Sequence, residues 1–265
     1  MTILDEIIAR TRRDLHARRR TCPERELRQE AEHMPLPPDF RARLSPEADG
    51  ATRVIAELKK ASPSKGRIRE DFDVISLALE LERHGAAALS VLTEPHHFQG
   101  SPEYLRSVAA TVSIPVLRKD FIVDEYQLHE ARAWGASAVL LIAAALSPQR
   151  FRALHQAARD LGLAVLSEIH NSEELEVVLD GGADIVGINS RDLKTFRTDL
   201  ATVEALLGAI PENTVRVAES GIHDRADIVR LQQAGADAFL IGESLMRKPH
   251  PGRQLDTYTG RNAVT

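Results

Sequence analysis

Four stretches of the chain repeat one pattern: HGAAALSVL from His84, WGASAVLLI from Trp134, GGADIVGIN from Gly181 and AGADAFLIG from Ala234. Their Gly-Ala pairs begin at 85, 135, 182 and 235, an interval close to 50 residues. In each stretch a helix-like segment comes before the pair and an apolar run comes after it. The glycine suits the position just past a helix C-terminus, and the run suits a strand. The interval is twice the length of one strand-helix unit, so a second set of strands belongs midway. VIAELKK from Val54, IPVLRKD from Ile114, LAVLSEI from Leu163 and VRVAESG from Val215 occupy those midpoints.

Strand candidates therefore alternate with helical patterns such as SPEYLRSVAATV and SPQRFRALHQAARDLG, whose Ser-Pro openings suit helix starts. This alternation predicts an α/β fold, a TIM (β/α)8 barrel. Its strands read as near-continuous apolar runs, as a parallel sheet covered on both faces requires. A doubly wound open sheet has the same alternation, but no GxGxxG turn follows the first strand. The length of 265 residues suits one barrel. Residues 1–265 are expected to form a single domain with 1–50 as an N-terminal helical extension, whose Pro-rich middle, HMPLPPDF, connects a helix to the barrel.

A formal charge of -5 and a pI near 6.1 argue against nucleic acid or an anionic membrane surface as partner, so an anionic ligand must be met by local charge. The single cysteine, Cys22, permits no internal disulfide and no cysteine-based zinc site, which fits a reducing compartment. The opening MTILDEIIARTRRDLHARRR carries charge throughout, unlike a signal peptide, and the cytoplasm is the expected location. The longest nearly apolar stretch, ASAVLLIAAAL at 136–146, is too short to span a bilayer and reads as a buried strand with its exit loop. Arg18, Arg19 and Arg20 end a segment with apolar residues at helical spacing, and are expected on a solvated face near the helix C-terminus.

The midpoint strands end in charge: Glu57 and Lys59, then Lys119, Glu168 and Glu219. In a barrel these are carboxyl ends of strands, the rim where such folds build their sites. Glu57 and Lys59, two apart on an extended strand, point to one side, and Lys119 can meet carboxylates from neighbouring odd strands across the mouth. The sixth strand adds Asn189 and Arg191 in GINSRDL, and a guanidinium there suits bidentate binding of a carboxylate. ESGI after strand seven and IGES after strand eight set glycine beside a hydroxyl residue, where backbone N-H groups can hold a phosphate. ASPSKG at 61–66 reads equally as an ordinary turn or a substrate-closing loop. His96 and His97 lack the carboxylate-histidine spacing of a metal site, and no metal is expected.

The motifs IAELKKASPSKG, SVLTEPHHFQGS, VLRKDFIV, AVLLIAAAL, GINSRDL, VAESGI and LIGESLMR resemble, in order and over nearly the whole chain, the indole-3-glycerol-phosphate synthase family of tryptophan biosynthesis. The resemblance implies a phosphorylated small-molecule substrate, 1-(2-carboxyphenylamino)-1-deoxyribulose 5-phosphate, cyclised, decarboxylated and dehydrated with no metal or organic cofactor. It implies Lys119 as general acid toward the ribulose carbonyl and Glu168 as proton carrier in the later dehydration. Glu57 and Lys59 match the strand-one pair, Lys59 with both a binding and an acid role, while Asn189 and Glu219 orient and polarise the same centre. The anthranilate carboxylate falls near Ser62 and Arg191, with Phe98, Phe121 and Leu140 as apolar neighbours of its ring. Phosphate falls against Ser220, Gly221, Gly242 and Glu243. Some members have serine in place of Glu243, and its side chain is expected to turn away from the phosphate. Two other readings remain: a phosphoribosylanthranilate isomerase-like barrel, which the lysine-rich mouth disfavours, and a non-catalytic metabolite-binding barrel. The chain itself is expected to be a monomer or a weak homo-oligomer.

Overall fold

Eight apolar runs form eight parallel strands: β1 Arg53–Leu58, β2 Ala88–Leu92, β3 Val116–Lys119, β4 Ala138–Ile142, β5 Ala164–Ile169, β6 Ile185–Asn189, β7 Val215–Glu219 and β8 Ala238–Ile241. In the computed structural model, which describes residues 2–46, 51–191 and 198–261, they follow one another around a closed barrel, and β8 pairs back onto β1 with Ile55 opposite Leu240. This is the expected TIM barrel. The four repeated glycines, Gly85, Gly135, Gly182 and Gly235, have φ of 80, 84, 88 and 106 degrees, so each helix turns into its strand through a left-handed residue.

A helix follows every strand: α4 Val74–Arg83, α5 Pro102–Ala109, α6 Glu125–Ala133, α7 Pro148–Asp160, α8 Ser172–Asp180, α9 Leu200–Leu207, α10 Arg225–Gln233 and α11 Glu243–Met246, with α12 Pro251–Thr259 beyond. Ser101 and Ser147 cap α5 and α7 through their hydroxyls, with proline in the first turn, as the Ser-Pro openings predict. ASAVLLIAAAL becomes β4 and a 3-10 turn over Ala143–Ala145. Among the described residues, no helix is long and apolar enough to cross a membrane.

Before the barrel lie three helices rather than one: α1 Ile3–Thr21, α2 Glu24–His33 and α3 Phe40–Leu44. Phe40 and Leu44 of α3 are fully buried in one cluster with Ala87, Ala88, Ile185 and Val215, so α3 closes the end of the barrel where strands begin. The arginine run ends α1 on a solvated face as expected, with Arg19 and Arg20 exposed and Arg18 half-buried, and two of its members also reach acids on and just before α6. Arg18 Nε lies 2.8 Å from the buried Glu130, and Arg19 pairs with Asp124 at 2.6 Å and lies over the Tyr126 ring. A buried carboxylate needs a partner, and α1 supplies it.

Candidate active site

Strand alternation sends Glu57, Lys119, Glu168 and Glu219 inward at the carboxyl ends of β1, β3, β5 and β7. They meet there. Lys119 Nζ donates to Glu168 Oε2 at 3.0 Å and to Glu219 Oε2 at 2.9 Å, while Lys59 Nζ pairs with Glu57 Oε1 at 2.7 Å. Arg118, one residue before Lys119, points to the opposite face. There it is fully buried over the Trp134 ring and bound to Glu130 and Asp120, whose Oδ1 accepts from Phe121 N.

Burial opposes the charge on Lys119, but Glu168, Glu219 and Glu57 around it prevail and hold the ammonium above its ordinary range. Burial likewise raises Glu168, yet Lys119, His170 and a hydrogen bond from Asn189 bring it below the usual carboxylate range. Glu219 is pushed up to about 7 by burial, with Glu168 and Glu57 adding to the rise against the pull of Lys119. The mouth therefore holds an ammonium, an ionised carboxylate and a carboxyl that titrates near neutrality, a set able to give, take and stabilise protons on one bound molecule.

Above these groups opens a cavity of about 970 Å³, including its solvent-facing mouth, which is the scale of a small-molecule site. It is lined by the charged groups, by Asn189 and by Ser220. A second cleft adjoins it at the ends of β7 and β8, lined by Ser220, Gly221, Gly242 and Glu243 together with Lys59 and Arg191. Ser220 and Gly221 both adopt positive φ, 65 and 69 degrees, and Ser220 is strained there as few non-glycine residues are.

A family model described as indole-3-glycerol phosphate synthase matches residues 4–257. The chain belongs to the indole-3-glycerol phosphate synthase family. It is 52% identical to the indole-3-glycerol phosphate synthase of Koribacter versatilis, across 97% of this chain and 98% of that one. It is 48% identical to that of Aliarcobacter butzleri, across 93% and 94%. Among solved structures, 3-hexulose-6-phosphate synthase from Salmonella typhimurium overlays with a TM-score of 0.65 at 11% identity, covering 79% of this chain and 97% of that one, a likeness of fold alone.

The positions that resemblance to the synthase family singles out for the aromatic end of the substrate all line the cavity. Phe98 and Phe121 lie with ring centroids 6.0 Å apart, and Leu140 and Ser62 line the same cavity. Ser62 belongs to a two-residue antiparallel ladder, Ala61–Ser62 with Gly66–Arg67, so ASPSKG is a small hairpin at the rim whose Pro63 and Ser64 also face the cavity. Arg191 reaches the cavity, while the last two residues of GINSRDL, Asp192 and Leu193, lie outside the described residues. The Glu243 carboxylate is engaged by Arg247 at 3.1 Å and lies 3.9 Å from Arg191, so two guanidinium groups offset its charge.

Several groups in and around the site carry no signal of it in the sequence. Ile3, Leu4 and Ile7 of α1 form part of the cavity wall; their apolar spacing marks a buried face without saying what it covers. His170 lies 3.7 Å from Glu168 and 3.2 Å from Glu174. Glu94 accepts from the backbone N-H groups of His96, His97 and Phe98 at 3.0, 2.7 and 3.0 Å, and so shapes the loop that presents Phe98. The two histidines turn to acids on α1, His96 to Asp14 at 2.8 Å and His97 to Glu6 at 3.7 Å. Among the described residues, no group of three or more His, Cys, Asp or Glu side chains is arranged to hold a metal ion.

Proposed function

We propose that Lys119 is the acid of ring closure in the indole-3-glycerol phosphate synthase reaction. The reaction of the family closes, decarboxylates and dehydrates 1-(2-carboxyphenylamino)-1-deoxy-D-ribulose 5-phosphate to indole-3-glycerol phosphate, CO2 and water. The observation that carries the assignment is the Lys119 ammonium held between Glu168 and Glu219 beneath an aromatic wall.

Attack by an aryl carbon on a ketone places negative charge on the carbonyl oxygen. A fixed ammonium that can donate to that oxygen stabilises the charge as it develops, and a positioned acid contributes ~10²–10⁴-fold. Its carboxylate neighbours keep Lys119 charged, so the donor is ready when the carbonyl arrives. Arg191 holds the anthranilate carboxylate near Ser62, and Phe98, Phe121 and Leu140 flank the ring. Ser220, Gly221, Gly242 and the backbone of Glu243 hold the phosphate at the adjoining cleft, with Lys59 adding positive charge. Fixing both ends of an open-chain molecule makes closure effectively unimolecular. Loss of CO2 from the ring carbon then leaves an intermediate that must shed a proton and a hydroxyl. Glu168, ionised, is the acceptor for that proton, Lys59 or Lys119 the donor to the departing hydroxyl, and Asn189 and Glu219 orient and polarise the centre.

No metal or organic cofactor enters this scheme, because the mouth already supplies its own cations to the carboxylates of Glu57, Glu168 and Glu219. The single cysteine supports work in a reducing cytoplasm, and the length supports a single barrel domain. The test is to incubate the protein with the ribulose phosphate and a chelator and to follow indole-3-glycerol phosphate by fluorescence. Product at an undiminished rate is expected; no product, or product only after a divalent metal is added, would overturn the scheme. Rearrangement of phosphoribosylanthranilate instead would mark an isomerase.

A further inference from the structure

The inward positions of the barrel fall in layers, and the layer beneath the charged groups is contributed by the even strands: Ser90, Leu140, Gly187 and Leu240. Gly187 is the one without a side chain. It sits on β6, paired with Glu168 of β5 on one side and Val217 of β7 on the other. The Glu219 carboxyl fills the space that a side chain at 187 would take. A Cβ built on Gly187 would collide with Glu219 Oε1 and stand 3.2 Å from Glu219 Cδ and 3.1 Å from Leu166 Cδ1. Glu219 Oε1 is buried there without a hydrogen-bond partner among the described residues, while Oε2 accepts from Lys119 at 2.9 Å.

We propose that Gly187 is a positioning residue for the reaction: by leaving its Cβ space empty it seats one oxygen of Glu219 in the barrel and aims the other at Lys119. The inference rests on the roles proposed above for Lys119 and Glu219. Its geometry is directional. Leu166 stands on one side of the seat and the backbone of Gly187 beneath it, so a methyl group at 187 pushes the Glu219 carboxyl away from β6 and toward the mouth. There the carboxyl loses its line to Lys119. What must yield is the free end of a side chain rather than backbone, so the barrel itself survives the change. A dry seat also accounts for the upward push on the Glu219 carboxyl, since Oε1 faces Cα and a leucine instead of water.

The experiment is a double-mutant cycle of Gly187→Ala and Glu219→Ala, read by kcat, KM and melting temperature. Gly187→Ala is expected to lower kcat by on the order of 10²-fold, as a displacement of about an ångström can, with KM changed only a few-fold. In the Glu219→Ala background the same substitution is expected to change kcat less than about two-fold, because the group it displaces is gone. If Gly187→Ala folds poorly, the double variant should melt higher than the single one, since removing the carboxyl removes the collision. Near-parental kcat for Gly187→Ala, equal losses in both backgrounds, or a double variant no more stable than a poorly folded single one would overturn the inference. Full activity of Glu219→Ala alone would instead overturn the role given to Glu219, and the inference with it.

Discussion

Glu168 and Glu219 grip the same ammonium, at 3.0 and 2.9 Å, and are driven apart in acidity. Both are buried, but Glu168 has His170 and Asn189 as additional partners, whereas Glu219 presents one oxygen to dry barrel interior. One cation between two carboxylates is best satisfied when one of them is ionised and the other holds a proton over part of the pH range.

The stability of the fold should report this division. The folded Glu219 carboxyl sits above its unfolded value, at about 7, so the stability its neutral form provides is present below about 4.5 and lost as pH rises through about 7. Glu219→Gln is neutral throughout. Relative to the parent it should gain between pH 5 and pH 8, by an amount on the order of 2–3 kcal/mol. Denaturant melts at the two pH values check this; a difference that stays constant or moves the other way would rule it out.

Lys119→Met keeps length and removes the donor. Turnover should fall on the order of 10²-fold or more, while binding of a non-reactive substrate analogue changes far less. Two buried carboxylates are then left without their cation, so both hold protons more tightly, and the variant should lose more stability at pH 8 than at pH 6. Single-turnover kinetics on the folded variant test the role, and near-normal ring closure would refute it.

Arg191→Lys retains charge but loses the planar fork. Substrate use should weaken by at least about tenfold, the scale of one charge-assisted hydrogen bond. An analogue lacking the anthranilate carboxylate should feel the substitution little. Equal penalties for both compounds would separate Arg191 from the carboxylate.

Glu94→Ala removes the acceptor for three backbone N-H groups under Phe98. Its cost should be about 1–3 kcal/mol, and KM should rise as the aromatic wall loses its support. Thermal melts and steady-state kinetics read the two effects separately. Unaltered KM in a destabilised variant would show that Phe98 holds its place without Glu94.

The barrel is legible in the sequence because its periodicity is local: each Gly-Ala marks one helix end and each apolar run one strand. The charged rim is legible for the same reason, since strand alternation alone sends Lys119 and the glutamates inward. Other features depend on what packs against what. Phe40 and Leu44 stand in a five-residue helix after a proline run, and only the barrel end they fill gives that helix meaning. Arg18 and Arg19 read correctly as charge on a solvated face, but that they also pair with Glu130 and Asp124 depends on how α1 packs against α6. Glu94 and His170 carry no spacing signal, and Gly187 is hidden by its own lack of a side chain in a strand that otherwise reads as ordinary.

Lys119 belongs to the first half of the barrel, and both carboxylates that hold it belong to the second. Cutting the chain between β4 and β5 would leave the cation on one piece and its counter-charges on the other. Neither fragment could assemble the proton-handling centre alone, and the β4–β5 and β8–β1 seams would have to be rejoined before it existed. Recovery of turnover on mixing the two pieces would thus be a direct gauge of how faithfully the halves re-engage.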